Sequence, residues 1–129
     1  MNGLTLAYIG DAYYELAVRM YLVEKKLTNV DNLHKTAIRF TSGVSQAKIM
    51  NAMIDQQLIS EEEMDMFRRG RNSSGPGRKN TDAQTYGMAT GFEAMLGGLY
   101  LSNKNRSDDL IRLAISYIEK GDFSGKDSE

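Results

Sequence analysis

Apolar residues recur at three- and four-residue steps along nearly the whole chain, and no stretch alternates strictly, so the pattern predicts helices and no strands. The first helix runs from Leu4 to Leu22, with Leu6, Ile9, Tyr13, Leu16 and Met20 as its apolar stripe, and closes at Lys25, Lys26 and Leu27. Thr28 and Asp31 have the spacing of a capping box, with Asp31 in the Glu role, and open a second helix that ends near Thr41. Ser42-Gly43 breaks it, and Val44 to Gln57 reads as a third. Ser60 followed by Glu61, Glu62 and Glu63 starts a short fourth helix, because acids favour the positive end of the helix dipole; it ends near Arg69-Gly70. Arg71 to Asn80 reads as a loop and holds the only Pro. Asn80 or Thr81 caps a fifth helix reaching about Leu101, with Tyr86, Ala89, Glu93, Leu96 and Tyr100 on one face and Phe92, Met95 and Leu99 beside it. Ser107 is the expected N-cap of a sixth, running to about Glu119 with Leu110, Leu113, Ala114, Tyr117 and Ile118 on its apolar side. The expectation is an all-α fold in one domain over residues 1–129, with an ordered core over 3–120 and a tail frayed from Gly121.

Composition narrows the chemistry. The 129 residues suffice for a core without covalent staples. With no Cys, disulfides, thiolate zinc sites and a Cys nucleophile are excluded; with one His, so is a multi-His metal site. The 17 Asp and Glu are the only plentiful metal ligands. No apolar run approaches the ~20 residues of a membrane span, and no basic segment precedes an apolar one at the N-terminus, so the expected setting is cytoplasmic, without membrane. The eight Met residues read as core filler.

A net charge of −1 argues against nucleic-acid binding when read globally. Locally the picture reverses. Arg68, Arg69, Arg71, Arg78 and Lys79 follow one another with no acid between them, just after the acidic run Glu61, Glu62, Glu63 and Asp65. Such a cluster in a Gly- and Ser-containing loop suits contacts to a nucleic-acid backbone; the alternative is a solvated hinge between helices.

Two acids stand out. Asp11 lies within Leu6-Ala7-Tyr8-Ile9-Gly10-Asp11-Ala12-Tyr13-Tyr14, where a carboxylate either suffers desolvation or faces water across the helix. Gly10 beside it weakens the helix and points to close approach by another helix or a ligand. Glu93 has Ala89, Thr90, Leu96 and Gly97 one turn away on either side, so no cation can pair with it along its own helix. A buried, unpaired Glu is expected to be protonated or to bind a metal. Gly91, Gly97 and Gly98 admit a close helix crossing. If the first and fifth helices cross there, Asp11 and Glu93 meet, and two carboxylates with waters and a substrate phosphate make a Mg²⁺ site for phosphodiester hydrolysis. Glu15 reads first as a surface pair with Arg19 and second as a helper to Asp11. His34 reads as structural or solvated, and Asp31 as a cap or as a further acid near the site.

Leu6-Ala7-Tyr8-Ile9-Gly10-Asp11-Ala12 resembles the first signature of the ribonuclease III family, and Phe92-Glu93-Ala94-Met95-Leu96-Gly97-Gly98-Leu99-Tyr100 resembles its second. Leu33-His34-Lys35, Gly70-Arg71-Asn72, Lys79-Asn80-Thr81-Asp82 and Gln84-Thr85-Tyr86 resemble the Mini-III branch, in the same order and over residues 3–120. The resemblance implies an all-helical, homodimeric endoribonuclease that cuts double-stranded RNA with Mg²⁺, or with Mn²⁺ in its place. Asp11 and Glu93 would be its catalytic and metal-binding residues, and the branch lacks an appended double-stranded-RNA-binding domain. The substrate it implies is the ribosomal RNA precursor whose ends mature into 23S RNA. Larger family members carry acids where this chain has Leu4, Ala7 and Thr90, so Asp11 and Glu93 are what clearly remains of the acidic cluster. Arg68, Arg69, Arg71, Arg78 and Lys79 are assigned to the RNA backbone. The loss of acids also motivates an alternative, a non-catalytic helical RNA-binding or ribosome-assembly factor on the same fold; a helical protein-interaction domain is a third reading. Convergence of Asp11 and Glu93 decides between them.

Overall fold

The computed structural model describes residues 1–26, 29–75 and 81–124, with the Thr81 side chain excepted, and it is helical throughout. The elements are α1 (Gly3–Glu24), α2 (Val30–Thr41), α3 (Gly43–Asp55), α4 (Glu61–Ser73), α5 (Thr81–Ser102) and α6 (Lys104–Lys120), with no strand among the described residues. The all-α expectation holds.

Helix α5 is the hub, packed against α1, α3, α4 and α6. Tyr14, Val18 and Leu22 of α1, Phe40 of α2, Ile49, Met50 and Met53 of α3, and Phe67 of α4 close around Phe92, Met95 and Leu96. Leu110, Ile111 and Ala114 of α6 complete the core. Phe92 meets the Tyr14 ring edge-on at 5.3 Å, and the Tyr14 hydroxyl donates to the Phe40 carbonyl at 2.9 Å, which fixes α2 across α1.

The termini show where local chemistry rules. The Ser60 side chain accepts from Glu63 N–H while the Glu63 carboxylate accepts from Ser60 N–H, a complete capping box. Ser42 ends α2 with extended backbone and its side chain accepts from Ser45 N–H to open α3, so one residue performs the break and the restart.

Five expectations need correction. The core-facing stripe of α1 is Leu6, Gly10, Tyr14, Val18 and Leu22; Leu16 and Met20 are 52% and 55% exposed, and Ile9 and Tyr13 are half-buried. This helix is apolar on nearly every side, so periodicity defines no direction. Asn29 caps α2 by accepting from Asn32 N–H; Thr28 lies outside the described residues. Helix α4 continues through Gly70 to Ser73, so Arg71 is helical; Gly70 is tolerated because a Cβ there would lie 2.5 Å from Ala94 Cβ on α5. Helix α6 starts a turn early, capped by Asn103, and Ser107 is instead fully buried and donates to the Leu96 carbonyl at 3.1 Å. Beyond Gly121, Phe123 stacks on Tyr117 at 5.4 Å between ring centroids, and its carbonyl accepts from Gln56 at 2.6 Å, so the chain is docked to Ser124 rather than frayed.

Candidate active site

The site begins at a contact between two helix backbones. A Cβ on Gly10 would lie 1.7 Å from the Glu93 carbonyl oxygen, and one on Gly97 would lie 2.0 Å from the Leu6 carbonyl oxygen. Neither position tolerates a side chain, so α1 and α5 cross with main chain against main chain. Asp11 and Glu93 adjoin this contact, and their carboxyl groups come within hydrogen-bonding reach of each other.

Their surroundings differ. Asp11 is exposed, not desolvated, although its neighbours in sequence are apolar. Glu93 is partly buried. Burial first, then hydrogen bonding and charge from Asp11, push the Glu93 carboxyl up to about 8; the Glu15 charge adds to this, and a hydrogen bond from Gln46 opposes it. No cation offsets these effects. Gln46 Nε2 donates to Glu93 Oε2 at 3.3 Å and to the Thr41 carbonyl at 3.1 Å. Glu15 Oε1 pairs with Arg19 at 3.6 Å, whereas Glu15 Oε2 and Gln46 Oε1 are buried with no hydrogen-bond partner.

Ala7 and Thr90, where the resemblance implies further acids in larger family members, are both buried, and the Thr90 hydroxyl donates back to the Tyr86 carbonyl at 2.9 Å. No group of three or more Asp, Glu, His or Cys gathers at one point among the described residues. Asp31 is exposed in the first turn of α2, and His34 is exposed beside Arg19 and Leu33.

The basic residues divide. Arg68, Arg69 and Arg71 are exposed on α4. Arg68 pairs with Asp65 at 3.3 Å, Arg69 donates to the Met1 carbonyl, and the Arg71 guanidinium lies 5.3 Å from the Phe67 ring centroid. Arg78 and Lys79 lie outside the described residues. A groove of about 450 Å³ runs between α3, the end of α4 and the start of α5, lined by Ala47, Asn51, Arg71, Ser74, Gln84 and Tyr86 among others. Sequence reasoning did not single out Gln46; the available signal was a polar residue at three- and four-residue spacing from the buried Ile49 and Met50.

Comparison with known proteins identifies the family. The family model "Ribonuclease III domain" matches residues 4–104. A Mini-ribonuclease 3 of Acholeplasma laidlawii is 46% identical over 125 residues, covering 97% of this chain and all of the relative. One from Enterococcus faecalis is 43% identical, covering 92% and 91%. A crystal structure of a protein from Fusobacterium nucleatum superposes with a TM-score of 0.76 at 29% identity, covering 90% of this chain and 93% of that one. By the family model and by relatives matched over nearly its whole length, the chain belongs to the ribonuclease III family, in its Mini-ribonuclease 3 branch, and is an endoribonuclease.

Proposed function

We propose that the chain hydrolyses double-stranded RNA with a divalent ion, Mg²⁺ or Mn²⁺ in its place, held by Asp11 and Glu93. The observation that supports this is the Glu93 carboxyl, raised to about 8 against an acid neighbour with no cation to relieve it. A pair so arranged is costly in the free protein and suited to a doubly charged partner. The donors fit: both are hard oxygens, as Mg²⁺ requires, and two protein carboxylates leave room for waters and phosphate. The orphaned oxygens of Glu15 and Gln46 fit too, as acceptors for such waters. When bound, the ion supplies a water of lowered pKa and neutralises charge on the scissile phosphate.

The chain's own residues do the rest. Glu93, pushed up to about 8 in the free protein, would hold the ion in its carboxylate form. Asp11, at the solvent edge, faces the substrate side. Arg68, Arg69, Arg71, Arg78 and Lys79 are assigned to RNA phosphates, and of the described ones Arg71 lines the groove beside α5. A-form RNA is read through its shape and 2′-hydroxyls, so base specificity is modest.

We assign a homodimer to the exposed apolar face of α1. Tyr8 is 81% exposed, and with Ile9, Ala12, Tyr13, Leu16 and Tyr100 it lines a shallow groove of about 310 Å³. A two-fold partner seated there would set two sites against two antiparallel strands. The substrate carried by the family resemblance is the precursor of 23S ribosomal RNA, which implies a cytoplasmic setting. No helix among the described residues is long and apolar enough to cross a membrane.

The test is cleavage of a duplex RNA with Mg²⁺ and its arrest by EDTA. Asp11→Asn keeps the shape and removes the charge, so cleavage should stop while the melting curve is retained. Undiminished cleavage by Asp11→Asn would remove Asp11 from the mechanism.

A further inference from the structure

Gln46 is an amide on a core-facing stripe, 2% exposed, between positions that otherwise bury aliphatic side chains. Its Nε2 spans two acceptors from different elements, the Thr41 carbonyl at 3.1 Å and Glu93 Oε2 at 3.3 Å. The first is main chain at the end of α2, held by the α2–α3 corner, and is a fixed anchor. The orientation of the amide follows from the Thr41 contact: turning it over would set Oε1 against that main-chain carbonyl, an acceptor with no proton to offer. Oriented this way, the amide holds Glu93 from α3 and leaves Gln46 Oε1 buried without a partner.

That orphan is informative. A buried acceptor without a donor is unfavourable, and an aliphatic side chain of the same volume would avoid it. The other orphan among the described residues, Glu15 Oε2, belongs to a residue whose charge also bears on Glu93. Both unsatisfied side-chain oxygens therefore belong to neighbours of one carboxyl.

We propose that Gln46 is a positioning residue for the Glu93 carboxylate: it tethers Glu93 to the α2–α3 corner so that the Asp11–Glu93 pair receives its divalent ion in a preset arrangement, and its free amide oxygen accepts from water held with that ion. This rests on the metal reading above. Groups that orient a metal ligand typically alter affinity or activity ~10–100-fold when removed.

The experiment uses Gln46→Met, which preserves volume and removes both the donor and the orphan. Mn²⁺ binding to the RNA-free protein is followed by calorimetry. The expected result is Mn²⁺ affinity weaker by ~10–100-fold, with the Mg²⁺ concentration for half-maximal cleavage rising in parallel and kcat recovering at high Mg²⁺. Duplex affinity and melting temperature in EDTA should match the unmodified protein. Gln46→Asn, too short to span Thr41 and Glu93 together, should show the same shift and covers the case in which Gln46→Met does not fold. Unchanged Mn²⁺ affinity in a folded variant would overturn the proposal. So would a loss of duplex affinity and melting temperature without a change in ion affinity, which would mark Gln46 as a packing residue. Failure of the unmodified protein to bind Mn²⁺ would instead overturn the metal reading of Asp11 and Glu93.

Discussion

Two glutamates, Glu63 and Glu93, withdraw from solvent and meet opposite fates. Glu63 on α4 is 5% exposed, yet its carboxylate accepts from Arg106 at 2.7 and 3.0 Å and from Ser60 N–H at 2.9 Å. Burial opposes its ionisation, but these hydrogen bonds and the Arg106 charge outweigh it and hold Glu63 below the usual carboxylate range. Glu93 on α5 is less buried but has one amide, an acid neighbour and no cation, and is pushed up to about 8. Burial alone therefore does not mark a carboxylate as functional; what surrounds it does. Glu63 ties α4 to the start of α6 and needs no ligand, whereas Glu93 is left with a demand that the fold does not meet.

The sharpest way to break this comparison is a paired neutralisation. Glu93→Gln should lower duplex cleavage by at least ~100-fold, because it removes one of the two ligands of the ion that would neutralise the charge developing on the phosphate, while the metal-free melting temperature holds or rises because the costly acid pair is gone. Glu63→Gln should do the reverse. Breaking a largely buried pair costs about 3 kcal/mol, visible in denaturant titration, with cleavage retained wherever the protein is folded. A large loss of stability with normal activity for Glu93→Gln would show that the two residues do the same structural work.

An intermediate effect is expected in pH. Glu63 is depressed in the fold, so its contribution is present above its ordinary 4.5 and is lost as pH falls below that value. Glu93 is raised, so the folded chain holds a proton that the unfolded chain releases, and metal-free stability declines between about 4.5 and 8 as pH rises. Melting temperatures measured without metal across that range should fall on the alkaline side, and Glu93→Gln should flatten that limb alone. Added Mg²⁺ should offset the decline, since ion binding takes up the carboxylate form.

The smallest effect on the fold belongs to the arginines. Replacing Arg71 with Ala, together with Arg78 and Lys79, should leave melting almost unchanged, because the Arg71 side chain is exposed and contributes little to the core. Duplex binding should weaken for all sequences alike, and the slope of log affinity against log salt should become shallower by about one per phosphate contact removed. Superimposable salt dependences would retire these residues as an RNA clamp.

What a short stretch of sequence determines here is whatever is settled within one helical turn. The Ser60–Glu63 capping box, the Ser42 break and the start of α4 need only neighbouring side chains and main-chain groups. Gly10 beside Asp11, and Glu93 without a helical cation, were legible as a close crossing and an unpaired acid for the same reason. Other features belonged to tertiary structure. Helix α1 is apolar almost all round, so only packing on α5 chose Tyr14 and Val18 for the core and left Tyr8 and Leu16 outside. Ser107 reads locally as a cap, yet a carbonyl on α5 took its hydroxyl while Asn103 capped α6. The Arg106–Glu63 pair spans 43 residues and Gln46–Glu93 spans 47. A hydrogen bond between groups so far apart in the chain leaves no periodic trace in sequence; it exists because burial in a shared core excludes the water that would otherwise satisfy both partners.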